Sequence, residues 1–404
     1  MATLDASAFD KGLKILYPKG LEYEWQKEAS PAVVWVPKAQ DFAGKQWNIN
    51  PVVGAVRGSH SFASALLDKS APTFEEFHVT RVSDYAIVSV AAEMIAASKS
   101  DVGALRQAIQ VQTDAAMAEM ARARSADIWH NGGGAIGRIA TSGISTTVIT
   151  LASLDDLVRF DVGMRLELSA NDGTSGSVRP GSPGYVTVSA IDYDAGTITC
   201  TANVTGAISG ATDADYIFRK GDFGAAISGF FAWIPASAPT STPFFGVDRT
   251  THINKLAGSR LPLNGANMED GIIEAVARMS RYGGKPDTLW MNPLKLGELE
   301  KSMQSKTYVE VKTDNPSISF SALQVRSGEG MIKVLSDPHC PESVGLLTRR
   351  DSWLLRTLGA DPHFAKEDGL QWRTEGSADA VEARLRSWGN LGCLKPINSM
   401  HLTW

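Results

Sequence analysis

Cysteine is scarce in this chain of 404 residues: Cys200, Cys340 and Cys393 are all there are, and they lie far apart. An odd number at such spacing builds neither a disulfide framework nor a zinc site, so reduced, buried thiols are expected. Long apolar runs are missing too. None approaches the roughly 20 residues of a membrane-crossing helix. The opening MATLDASAFDKGLK lacks the basic stretch and apolar run of a secretory signal. Both absences point to a protein made in a cytoplasm and not inserted in a membrane. Excess positive charge is also lacking. A net charge of -5 offers no footprint for gripping nucleic acid, which rests on clustered Lys and Arg.

Local catalytic signals are absent. Gly132-Gly133-Gly134-Ala135-Ile136-Gly137-Arg138 follows a helical stretch instead of opening one, and no P-loop Lys comes after it, so it reads as a helix stop. The seven histidines are dispersed, without the i,i+4 partner of a helical zinc site. His339-Cys340 sit between Pro338 and Pro341, where adjacent side chains diverge. There is no Gly-x-Ser-x-Gly elbow, and the neighbouring acids Glu75-Glu76 and Asp155-Asp156 do not converge on a substrate. Asn171-Asp172-Gly173 is a turn without the alternating acids of a calcium loop. No catalytic, cofactor-binding or metal-binding residue is assigned, and a non-enzymatic role is expected.

What is present is a long helix, spanning Ser100 to Asn131. Ser100-Asp101 suits its start, Asn131-Gly132 its stop, and no Pro interrupts it. Val102, Leu105, Ile109, Ala116, Met120 and Ala123 make one thin apolar stripe. About thirty residues make a rod of about 45 Å, which such a stripe would lay against a surface. Before it, residues 1–37 form an arm of mixed character whose large side chains must pack on their own domain or a neighbour's. Within 38–82, Lys45–Asn50 and Thr73–Thr80 read as two strands, with Phe77 and Val79 on one face and Glu76, His78 and Thr80 on the other. A ribbon this long is marginal alone; its own domain or a neighbouring subunit must cover it.

After the glycines the text turns to short strands. Thr147–Thr150, Met164–Leu168, Val186–Ile191, Thr197–Cys200 and Tyr216–Arg219 argue for a small β-barrel or sandwich within 141–226, flanked by different chemistry and so inserted. From Ile227 the pattern is α/β. Asn267 caps a helix with Ile272, Ile273, Val276 and Ala277 inward. Asn292-Pro293 opens another, with Leu296, Leu299 and Met303 as its buried stripe. Strands are expected at Thr288–Met291, Thr307–Val311, Met331–Leu335, Val344–Leu347 and Trp353–Leu355. The end, Ala380–Trp404, returns as strand, with Val381, Ala383 and Leu385 inward against Glu382, Arg384 and Arg386.

This order of arm, long ribbon, lone long helix, β-rich region, α/β domain and returning strand resembles the major capsid protein of tailed bacteriophages, the Hong Kong 97-type fold. Tyr282-Gly283-Gly284-Lys285-Pro286-Asp287, Lys333-Val334-Leu335-Ser336-Asp337-Pro338 and Phe160-Asp161-Val162-Gly163-Met164 share the flavour of such proteins. The resemblance implies an α+β fold: N-terminal arm 1–37, extended loop 38–82, peripheral domain 83–140 with spine helix 100–131, inserted β-rich domain 141–226, axial domain 227–375 and peripheral return strands 376–404. It implies a shell subunit forming hexamers and pentamers of an icosahedral virion head, assembled in a bacterial cytoplasm. The head would enclose DNA without sequence-specific binding. No cofactor is implied. Partners would be sister copies, a portal, a separate scaffold or none (the short arm carries no charged helical leader), and a decoration protein.

The loop residues Trp47, Arg57, Lys69, Phe74, Glu75, Glu76 and Phe77 would contact the next subunit, and Leu105, Ile109 and Met120 would pack the spine helix. Some relatives fuse a loop Lys to a neighbour's Asn; Lys69 with Asn390 or Asn398 is the pair to test here. Two other readings stay open: an encapsulin-like compartment, a class that typically lacks a large β insertion, and a soluble enzyme or glycan-binding protein carrying a β module.

Overall fold

The computed structural model describes residues 27–93, 102–303, 323–328, 330–366, 369, 372–374 and 379–404, with backbone alone for 102–108. Residues 1–26 of the arm, the Ser100-Asp101 cap, the Leu105 side chain and the expected strand Thr307–Val311 lie outside these.

The long helix, α3 (Val102–Asp127), follows the short helices α1 (Pro31–Trp35) and α2 (Phe62–Leu67). It lies on a sheet built around β21 (Ala380–Cys393). That strand pairs with β6 (Val82–Ala91) in ten-residue antiparallel register, from Ala380 opposite Ala91 to Gly389 opposite Val82. It also pairs with β18 (Trp353–Thr357), β19 (His363–Phe364) and β20 (Trp372–Thr374), while β1 (Lys38–Ala39) adds to β18 in parallel. Ile109, Met117 and Met120 of α3 bury against Val88, Val90, Ala383 and Leu385. From Ala121 the helix sinks deeper, and Ala121, Ile128 and Trp129 join the main core with α1 residues Ala32 and Val33. The arm's end therefore packs on its own chain, and α3 lies on a surface from Ile109 to Met120 before sinking into the core.

At the foot of α3, Gly132 and Gly134 take φ of +88° and +83°, conformations glycine adopts without strain. A side chain on Gly133 would put Cβ 2.0 Å from the Asp172 carbonyl oxygen. The glycines thus stop the helix and also admit a close backbone crossing. They lead into a closed barrel of six strands in the order β10-β11-β8-β7-β12-β9. These are β7 (Ala135–Ser145), β8 (Val148–Leu151), β9 (Arg165–Ser169), β10 (Val186–Asp192), β11 (Thr197–Cys200) and β12 (Tyr216–Arg219). The barrel has its own core of Ile149, Leu166, Leu168, Ile198 and Ile217, each with no exposed surface. It begins at Ala135, earlier than the expected boundary at 141, because β7 follows the glycine stop directly. The chain re-enters the body where it left. The Phe230 N–H donates to the Ile128 carbonyl at 2.7 Å, and the Trp129 and Phe230 rings meet edge-on at 5.0 Å.

The third unit is a mixed sheet in the order β13-β22-β17-β14-β16-β15. Its strands are β13 (Ser259–Pro262), β14 (Thr288–Met291), β15 (Leu323–Ser327), β16 (Gly330–Ser336), β17 (Val344–Thr348) and β22 (Met400–Thr403). Helices α4 (Met268–Arg281) and α5 (Pro293–Met303) pack on it. Asn267 caps α4 as expected, its side chain accepting from the Glu269 N–H. The buried stripe is Ile272, Ala275, Val276 and Met279, so Ile273 and Ala277 fall just off it and face outward. Leu296 and Leu299 are buried in α5.

The closing segment differs from its expectation in two ways. Residues 380–393 return to the helix-bearing sheet, but β22 crosses into the mixed sheet between β13 and β17. Ala383 and Leu385 point inward as expected, yet Glu382 and Arg386 are buried as well. Glu382 accepts from Arg384, and the Arg386 guanidinium lies 4.4 Å from the Trp388 ring centre. All three cysteines are free and buried.

Candidate assembly surface

The ribbon of 38–82 has two unlike halves. Its root is β2 (Gln46–Ile49) paired with β5 (Phe77–Thr80), Trp47 opposite Val79 and Ile49 opposite Phe77. All four of these side chains are buried in the chain's own main core. Phe77 meets Trp233 and Phe244 edge-on at 5.1 and 6.3 Å. Trp47 lies over Gly392, where any Cβ would come within 2.4 Å of the indole, and the Arg356 guanidinium covers it at 4.7 Å. The root is pinned by Asn390, whose Nδ2 donates to the Thr80 carbonyl at 2.7 Å, and by the His78 N–H donating to Phe245 at 2.9 Å. Trp47 and Phe77, expected at a contact with the next subunit, are interior residues. The alternation of period two puts Phe77 on the apolar face with Val79, as the structure has it. The cover of Trp47 and Phe77 comes from Trp233, Phe244 and β21, far away in sequence.

Beyond Pro51 the ribbon loses this support. β3 (Val52–Gly54) and β4 (Thr73–Phe74) share a short, bulged ladder. Between them α2 is capped by Ser61, whose hydroxyl accepts from the Ser64 N–H, and the helix buries none of its residues. Phe62 is 83% and Leu67 90% exposed, and Val52, Val56, Leu66 and Phe74 are exposed with them. The polar ties are few. Arg57 and Asp68 pair at 3.3 Å in the open, a contact worth little in water. Lys255 Nζ donates to the Val53 carbonyl at 2.6 Å. Of the expected contact residues, Arg57, Lys69, Phe74 and Glu76 are exposed and Glu75 is half-buried, its N–H bonded to the Pro51 carbonyl. Phe62, Leu66 and Leu67 were missed within a stretch dominated by Gly, Ser and charge; the signal was Ser61 ahead of Phe62-Ala63-Ser64-Ala65-Leu66-Leu67. Ile109 and Met120 of α3 are buried.

Both asparagines considered for a covalent link are structural. Asn390 is buried and also accepts from the Ser228 and Leu391 N–H groups. Asn398 accepts from the Lys285 N–H and donates to Ser352. In this conformation neither amide is presented to a neighbour.

Charge concentrates where the barrel meets the body. Arg219, at the end of β12, pairs with Asp222 at 2.5 Å, Glu119 of α3 at 3.0 Å and Asp84 of β6 at 3.8 Å. Beside it, burial raises the Asp127 carboxyl to about 7, opposed by Arg219 and reinforced by Asp222 and Asp84. Further along, Arg122 pairs with Asp161 at 3.0 Å, and the Glu342 N–H donates to Asp155 at 2.7 Å. Among the described residues no group of three or more His, Cys, Asp or Glu is placed to hold a metal ion, and no helix is long and apolar enough to cross a membrane.

No family model matches the sequence, and no curated protein does. Among solved structures the chain is similar to a subunit of the cyanophage A-1(L) capsid, with 12% identity, 93% of this chain and 92% of that one covered, and a TM-score of 0.49. It is similar to the holo-SrpI encapsulin complex of Synechococcus elongatus, with 11% identity, 100% and 96% covered, and a TM-score of 0.45. It is also similar to the satellite phage P4 procapsid, with 10% identity, 99% and 98% covered, and a TM-score of 0.42.

Proposed function

We propose that this chain is the major capsid protein of a tailed bacteriophage, a structural and non-enzymatic subunit with the Hong Kong 97-type fold and an inserted barrel. The flap carries this reading: its root is locked in the core while Phe62, Leu66, Leu67 and Phe74 of its tip stand in water. An apolar tip that stands away from its own core needs a covering surface, and a sister copy supplies one at every site of an assembly. A flap on one side that meets a different surface on the next copy is a heterologous contact, which closes into rings when the rotation allows. Rings of five and six are the pentamers and hexamers of an icosahedral shell.

Arg57, Lys69, Phe74, Glu75 and Glu76 belong to that contact, with Phe62 and Leu67 at its apolar centre. A chain of net charge -5 suits a container that holds DNA without gripping it. On this reading the protein is made in the host cytoplasm, resides in the virion, and works with a portal, a separate scaffold and a decoration protein.

Electron microscopy and sedimentation of the purified protein test the proposal. Closed megadalton shells that package DNA are the expected result. Shells filled with protein would mean a cellular compartment, and monomers to tetramers under every assembly condition would sink the shell altogether.

A further inference from the structure

Between the barrel and the mixed sheet lies a polar seam that the assembly reading leaves unused, with His130 and His339 half-buried in it. His130 follows α3, His339 sits on the loop after β16, and Arg159, only 3% exposed, reaches in from the barrel. Arg159 donates to the His339 carbonyl at 3.2 Å, to the Ile136 carbonyl at 3.3 Å and to Asp156 at 2.5 Å. His130 Nε2 and His339 Nδ1 are shut off from water with no hydrogen-bond partner.

We propose that this seam is acid-labile: it closes only around neutral His130 and His339 imidazoles, and protonating them beside Arg159 releases the barrel. The carboxylates facing the seam are already committed. Asp337 accepts from the Ala32 and His339 N–H groups, Asp156 pairs with Arg159, and Asp155 accepts from the Glu342 N–H. Cys340 is buried beside them. Asp127 and Arg122 face the seam from α3, with Arg122 engaged by Glu119 and Asp161. A proton on either imidazole would therefore place a second buried cation beside Arg159.

The direction of titration agrees. Burial holds His130 well below its ordinary 6.5, with Arg159 and His339 adding to it. Burial likewise lowers His339 to about 4, with Arg159 and Arg122 adding. Folded values below the free one mean that docking is fully supported above pH 6.5 and loses support as pH falls toward about 4. Asp127 runs the other way, since a raised carboxyl loses its contribution as pH rises from 3.8 to about 7, so it cannot drive release in acid. Because the barrel has its own closed core, release leaves it folded.

Hydrogen exchange of the full chain at about pH 7 and about pH 4.5, corrected for intrinsic rates, tests this. Exchange at the Glu342 amide, which donates across the seam to Asp155, should rise about tenfold or more in acid, while the paired amides of β10 and β11 stay protected. In the His130→Gln, His339→Gln double variant that acid step should vanish. Unchanged protection in the native protein, or an acid step that survives in the variant, overturns the proposal. If the variant fails to fold, the histidine ring-proton resonances of the native chain decide: both should titrate together with seam opening, and independent titration near 6.5 overturns the proposal just as firmly.

Discussion

Gly229 marks the point where the barrel's return strand rejoins the body. A Cβ there would stand 2.4 Å from the carbonyl oxygens of Asp127 and Ile128 and 2.6 Å from that of His130. All three are backbone atoms at the end of α3, and none can swing aside. Gly229→Ala should therefore cost more than ~3 kcal/mol or abolish folding, read as loss of the cooperative thermal transition. Gly210→Ala meets nothing within 4 Å and bears only the strain of φ +76°, so about 1 kcal/mol is expected. Asp127 gives a pH signature at the same scale. Burial raises its carboxyl, so ionisation above about 7 works against the fold. Asp127→Asn should raise the unfolding midpoint at pH 8 far more than near pH 4, where the folded-state carboxyl is neutral like the amide; an equal shift at both pH values would refute this reading.

Among the elements, the flap separates two kinds of apolar residue that look alike in one dimension. Phe77 has no exposed surface, and Phe77→Ala should cost about 3–5 kcal/mol of stability through the cavity it leaves. Phe62→Glu with Leu67→Glu touches only water in the isolated chain. That pair should leave the melting curve within about 0.5 kcal/mol of the parent and abolish shell formation in sedimentation. If the double variant assembles normally, the tip is not the contact.

The contrast shows what was legible. Periodicity marked α3, the strands of the ribbon, the β10–β11 hairpin and the two capped helices, because each is a local pattern. It separated Phe77 from His78 across the ribbon but could not say which distant segment covers Phe77. It placed Ile272 and Val276 on the core stripe of α4 but added Ile273 and Ala277, where the structure has Ala275 and Met279. Arg219 gave no signal at all, since its carboxylates come from β6, α3 and the loop after β12. Glu382 and Arg386 misled because buried charges follow the polar half of an alternating pattern.

At the scale of the whole molecule, the barrel and the body are two folding units joined at one neck. The neck is narrow because Ile128 and Phe230 share a hydrogen bond of 2.7 Å, so the exit and return strands cost the body no gap. The barrel closes on itself, leaving no open edge to be satisfied by the body, and its core residues belong to no other cluster. Its links outward are instead polar: Arg122 to Asp161, Arg159 to His339, Asp155 to Glu342 and Arg219 to Glu119 and Asp84. Polar seams with water available on release stabilise far less than shared apolar cores. Residues 133–225 expressed alone should therefore fold with one cooperative transition, and the body with those residues replaced by a short Gly-Ser link should also fold. Circular dichroism melts of the two pieces measure this directly. A barrel that is unfolded alone, while the body without it stays native, would mean that the seams and not the closed core hold it together.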